Sequence, residues 1–102
     1  MTLTRIVKAT DIAPGSIKGF VVNGKKIAIA NVNGSFYAIE DRCTHMGQPL
    51  SGGMMMGHIV MCLVHGAQFD VMTGQPVTTA MSSVPVKTFP VKTEGDEIMV
   101  DL

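Results

Sequence analysis

Along most of the chain, apolar and polar positions follow the period of two that strands with one buried face require. Residues 17–22 (Ile-Lys-Gly-Phe-Val-Val) read as one strand. Lys26–Asn31 reads as a second, half-buried strand in which polar and apolar residues alternate, and Ser35–Ile39 as a third. Asn23-Gly24 and Asn33-Gly34 separate them. Both positions of an Asn-Gly pair tolerate positive φ, so each predicts a two-residue hairpin turn, and the three strands an antiparallel meander. A strand over Thr4–Lys8 precedes it, followed by a turn at Ala13-Pro14-Gly15-Ser16. Near the other end Val84–Thr93 is strand-like, with Pro85 and Pro90 placing it at an edge or a bulge. Thr93-Glu94-Gly95-Asp96 is a turn, and Glu97–Leu102 a closing strand with Ile98, Val100 and Leu102 on one face.

Residues 41–80 break this pattern. Gly47, Pro49, Ser51, Gly52, Gly53, Gly57, Gly66, Gly74 and Pro76 make the stretch loop-rich, with room for two short strands, His58–Cys62 and Gln68–Met72. There is no amphipathic helix and no internal repeat. The expected fold is therefore all-β: antiparallel sheets in a small sandwich, one domain over 1–102, with an insert of about 41–80 inside a frame of 1–40 and 81–102. From Cys43 to Phe69, 27 residues, there is no Asp, Glu, Lys or Arg. That predicts a weakly charged tip, whose contact with a partner depends little on ionic strength.

Composition narrows the class. The 102 residues suit one small domain with a modest core. Eight basic residues balance eight acidic ones, and Lys25-Lys26 is the only basic pair, so the electrostatic footprint of a nucleic-acid binder is missing. No window reaches the roughly 18 apolar residues of a membrane span, and the N-terminus has no signal core, which implies a cytoplasmic protein. In a reducing compartment, two cysteines imply metal binding or catalysis before a structural disulfide.

Both cysteines and two of the three histidines fall in the charge-free stretch, as Cys43-Thr44-His45 and Cys62-Leu63-Val64-His65, with sixteen residues between His45 and Cys62. Two ferric ions and two sulfides carry a net double positive charge. Four thiolates turn that into a dianion, whereas two thiolates and two neutral imidazoles leave it neutral, and a neutral centre accepts an electron more readily. Two short pairs, each giving one ligand to each iron, would clamp such a cluster between two loops. The same donors would also suit tetrahedral Zn²⁺, although Cys-x-His is an unusual spacing for zinc. Met46, Met54, Met55, Met56 and Met61 raise Cu(I) as a further alternative, against adaptable packing or docking surface. His58 reads as a surface or strand residue rather than a ligand.

The run from Cys43 to Gly52, followed by Cys62-Leu63-Val64-His65-Gly66-Ala67-Gln68-Phe69-Asp70, closely resembles the Rieske motif, C-x-H…C-x-x-H. Thr73-Gly74 and the C-terminal Pro85-Val86-Lys87…Asp101 are also similar to Rieske ferredoxins, so the resemblance spans the chain. It implies one 2Fe–2S cluster bound by Cys43, His45, Cys62 and His65, the cysteines on a buried iron and the histidines on an outer one. High-potential members of the family carry two further cysteines, matched here by Gln48 and Val64. They also carry a serine and a tyrosine whose hydroxyls bond the cluster region, matched here by Ala67 and Phe69. Hydrogen bonds to sulfur stabilise the reduced, more negative state, so their loss implies a potential near the low end of the family range, about −150 mV.

The resemblance implies a soluble electron carrier and not an enzyme in itself. It would pass single electrons from a flavin-dependent ferredoxin reductase to a terminal oxygenase, with no nucleic-acid or membrane partner, and would be a monomer when free. A small Rieske subunit of a larger oxidoreductase, such as a nitrite reductase, and a zinc-stabilised interaction module are the alternatives. Gly66 would let backbone approach the cluster closely, or serve as an ordinary loop glycine.

Overall fold

Three antiparallel sheets organise the chain. The computed structural model describes residues 3–44, 47–63, 66–77 and 84–102. The first sheet has strand order β1–β10–β9, from Leu3–Lys8, Glu97–Asp101 and Val91–Glu94. The second runs β2–β3–β4–β8: Ile17–Val22, Lys25–Val32, Ser35–Glu40 and Thr88–Phe89. The third, β5–β6–β7, is built from Met54–Met56, Ile59–Met61 and Gln68–Asp70 and lies in sequence between β4 and β8. Among the described residues no helix is long and apolar enough to cross a membrane.

The Asn-Gly pairs turn as their chemistry requires. Asn23 and Gly24 have φ of 51° and 78°, and Asn33 and Gly34 of 52° and 91°, so all four sit in the left-handed region that two-residue hairpins use. The meander follows in register, Phe20 opposite Ile27 and Ile29 opposite Ala38. Asn31 locks its far end: its buried amide donates to the Ile12 carbonyl at 2.7 Å and accepts the Gly34 N–H at 2.7 Å.

Two expectations need correction. β3 is not half-buried with alternating polarity: Ile27, Ala28, Ile29, Ala30 and Asn31 are all buried. What alternates is size. Ile27 and Ile29 pack with Ile12, Ala38, Ile98 and Val100 between the first two sheets, forming a sandwich core. Ala28 and Ala30 face a second core with Leu50, Val60, Phe69, Val71 and Val86. Each fully buried aliphatic or aromatic side chain contributes about 1.5–3 kcal/mol.

Nor is Val84–Thr93 one strand. Thr88–Phe89 edges the second sheet and Val91–Glu94 edges the first, with Pro90 between. Proline has no N–H for a ladder, so the chain changes sheets there, while the Pro90 carbonyl still accepts the Asp101 N–H at 2.9 Å. The closing strand is as expected, with Ile98 and Val100 fully buried.

Candidate metal centre

Two loops of the same build carry the two cysteines. In the first, the Cys43 N–H donates to the Gln48 carbonyl at 2.7 Å, and the Cys43 carbonyl accepts the Gly47 N–H at 2.7 Å. In the second, the Cys62 N–H donates to the Ala67 carbonyl at 2.7 Å, and the Cys62 carbonyl accepts the Gly66 N–H at 2.9 Å. Each cysteine thus heads a loop that closes back on it through residues four and five positions on. Gly47 and Gly66 both have φ of 75°, which other L-residues adopt only with strain. A Cβ on Gly66 would meet no described protein atom within 4 Å, so among these atoms only the backbone conformation asks for glycine there.

Cys43 is 0% exposed and Cys62 2%; both belong to one buried cluster with Leu50, Val60, Ala67 and Phe69, and neither is in a disulfide. Ala67 and Phe69, the positions expected to lack hydroxyls, lie in that same apolar wall. His45, His65, Met46 and Val64 lie outside the described residues. Two buried thiols at the heads of matched loops, packed with Leu50, Val60 and Phe69, fit a soft metal centre clamped between loops.

Several supports carried no sequence signal. Both Asp41 carboxylate oxygens accept from Ser51, one from its N–H at 2.7 Å and one from its hydroxyl at 2.6 Å. This pair fixes the base of the first loop. It also requires Gly19, because a Cβ there would come within 2.5 Å of the Ser51 Oγ. The Thr44 hydroxyl donates to the Val84 carbonyl at 2.8 Å, tying the first loop to the segment before β8. That segment is held in turn by Val86 N–H to the Gly74 carbonyl and Glu40 N–H to the Lys87 carbonyl, each at 2.8 Å. Contacts 40 residues apart are set by the fold, and no local pattern announces them.

His58 sits in the β5–β6 turn, half exposed, with its Nδ1 3.1 Å from Asp70 Oδ1. It belongs to the turn and not to a strand. Met54 and Met56 face outward, while Met55 packs on the buried cluster.

Residues 2–90 match the Rieske [2Fe-2S] domain. The chain belongs to that family. This Rieske domain is 40% identical to the ferredoxin component of biphenyl 2,3-dioxygenase from Rhodococcus jostii (strain RHA1), over 102 residues that cover 100% of this chain and 94% of the relative. It is 37% identical to the ferredoxin component of the naphthalene 1,2-dioxygenase system of Pseudomonas aeruginosa, over 92 residues that cover 90% and 88%. Among solved structures, the ferredoxin of carbazole 1,9a-dioxygenase from Nocardioides aromaticivorans IC177 superposes with a TM-score of 0.91 at 29% identity, covering 98% of this chain and 97% of that one. A ferredoxin solved in complex with the oxygenase of carbazole 1,9a-dioxygenase superposes with a TM-score of 0.88 at 34% identity, covering 96% and 91%. Like these ferredoxin components, the Rieske domain is an electron-transfer protein with a 2Fe–2S cluster, not a catalyst in itself.

Proposed function

We propose that this Rieske domain holds one 2Fe–2S cluster through Cys43, His45, Cys62 and His65, takes single electrons from a flavin-dependent reductase, and delivers them to a terminal oxygenase. The matched build of the two cysteine loops supports the ligand assignment: each sets one thiol in the buried cluster, and in sequence a histidine follows each cysteine two or three positions on. When bound, the cluster supplies one-electron uptake and release without transfer of atoms. The chain's own residues do the rest. Cys43 and Cys62 provide thiolates from the dry side, and Ala67, Phe69, Leu50 and Val60 exclude water behind them. His45 and His65 would complete the set of four ligands. Asp41, Ser51 and Thr44 hold the first loop in place.

A ferredoxin 34% identical to this chain is seen in complex with its oxygenase, which supports an oxygenase as the acceptor. The near-complete cover of such relatives supports reading residues 1–102 as one Rieske domain. The missing hydroxyls at Ala67 and Phe69 support a potential near the low end of the family range, about −150 mV.

Metal analysis of the purified protein tests the assignment. Two iron and two acid-labile sulfides per chain, with a rhombic reduced-state EPR signal, are expected. His65→Ala should lose the visible absorption, while His58→Ala should keep it. One zinc per chain without sulfide overturns the proposal.

A further inference from the structure

The charges of this chain sum to zero but are not evenly spread. Of its eight basic residues, Lys25, Lys26, Arg42 and Lys87 line one open groove of about 890 Å³. Two carboxylates also reach it. Asp41 is almost fully buried and accepts from Ser51 through both oxygens; Glu40 is the other. The groove therefore keeps a surplus of two positive charges, four cations against two carboxylates. Among the described residues, none of the four cations has a carboxylate within 4.0 Å. By contrast, five of the eight acidic residues (Asp11, Glu94, Asp96, Glu97 and Asp101) lie on β9, β10, the turn between them and the helical turn after β1.

The groove begins at the first cysteine loop. Arg42 precedes Cys43, and its Nε lies 3.8 Å from where a Cβ on Gly47 would sit. Gly47 and Pro49 line one side, while Phe20, Val21 and Phe89 give an apolar floor, with the Lys87 ammonium 5.3 Å from the centre of the Phe89 ring. Unpaired cations over apolar floor, sharing a wall with a cysteine loop, complement a protein surface bearing Asp and Glu.

We infer that the groove formed by Lys25, Lys26, Arg42 and Lys87 docks an acidic surface of the electron-transfer partner, beside the first cysteine loop. The inference rests on the electron-carrier reading above. It also replaces the expectation of weak salt dependence, which considered the charge-free loops without the groove against them. At physiological salt a charge is felt over about 8 Å, so cations on a shared wall act on whatever approaches the loop.

Poly-L-glutamate serves as the probe for an acidic protein surface, and its binding to the cluster-loaded protein is followed by fluorescence anisotropy. It should bind about tenfold tighter than poly-L-lysine at low salt, and weaken several-fold between about 20 and 200 mM NaCl. The double variant Lys25→Glu with Lys87→Glu should lose about tenfold in that binding, while Lys92→Glu on β9 should keep it. In stopped flow, oxidation of the dithionite-reduced protein by anionic ferricyanide should slow about fivefold in the double variant, and oxidation by cationic hexaammineruthenium(III) should not.

No preference for poly-L-glutamate, or a double variant unchanged in both measurements, overturns the docking groove. Tighter binding of duplex DNA than of poly-L-glutamate overturns its assignment to an acidic protein. Absence of cluster absorption would instead count against the electron-carrier reading, and poly-L-glutamate binding to the protein as purified would then decide the groove.

Discussion

β3 is shared by two regions of the molecule, and its two faces show how differently they are built. On one face Ile27 and Ile29, on a strand of eight residues, meet Ile98 and Val100 from a strand of five, with Ile12 from the turn after β1. On the other, Ala28 and Ala30 meet Cys43, Cys62, Val60 and Phe69, brought in by strands of three residues and by closed loops. The first region, the frame, rests on large aliphatic side chains and long ladders. The second, the cysteine-bearing insert, has short ladders, and its loops close on the two cysteines through four backbone bonds. Long ladders around an aliphatic core stand alone; short ones around two thiols need what the thiols bind.

The comparison breaks most visibly on removal of iron. Ligand binding stabilises only the state that holds the ligands together, so the cost should fall on the insert. Hydrogen-exchange mass spectrometry of the chelated protein should show the amides of Cys43, Gly47, Cys62 and Gly66 losing protection about a hundredfold or more, while those of Ile29 and Val100 change by less than about tenfold. Uniform loss across β3 and β10 would show that the frame is not independent.

A smaller effect separates crowding from conformation. A Cβ on Gly53 would lie 2.1 Å from the Met61 carbonyl oxygen, a backbone atom of β6 that cannot step aside. Gly53→Ala should therefore destabilise by about 2–4 kcal/mol. In the frame, Gly15 has φ of 81° but nothing within 4 Å of an added Cβ. Gly15→Ala should cost only about 1 kcal/mol, that of a left-handed alanine. Thermal unfolding of the two variants measures the difference, and equal costs would contradict a tightly packed insert.

The same contrast explains what was legible in the sequence. The meander could be read because Asn-Gly turns and period-two patterns are local, and β2, β3 and β4 begin and end within a residue or so of expectation. The strand Met54–Met56 could not be: three identical residues show no alternation, and their extended form comes from pairing with Ile59–Met61. Pro85 and Pro90 were visible as interruptions, but that Pro90 marks a change of sheet depends on which ladders lie on either side. In the candidate centre, the cysteines were legible from spacing. Asp41, Ser51 and Thr44 were not, because a hydroxyl or carboxylate becomes a brace only once the fold supplies its partner.

The smallest effect concerns the wall behind the thiols. Ala67 is buried, and its carbonyl accepts the Cys62 N–H. In Ala67→Ser the new hydroxyl has two fates, and they leave different marks. If it donates to the centre, it stabilises the more negative reduced state. A hydrogen bond of about 1 kcal/mol then raises the potential by roughly 40 mV, since 59 mV is tenfold, or about 1.4 kcal/mol, for one electron. The hydroxyl is satisfied in that case, and the melting temperature should hardly move. If it finds no partner, the potential stays fixed and burial of an unpaired hydroxyl costs about 1–3 kcal/mol of stability. Potentiometric titration with a melting curve on the same sample distinguishes the two. The expected result is the raised potential with stability kept; a fixed potential with lost stability would mean that this wall packs the loop without facing the centre.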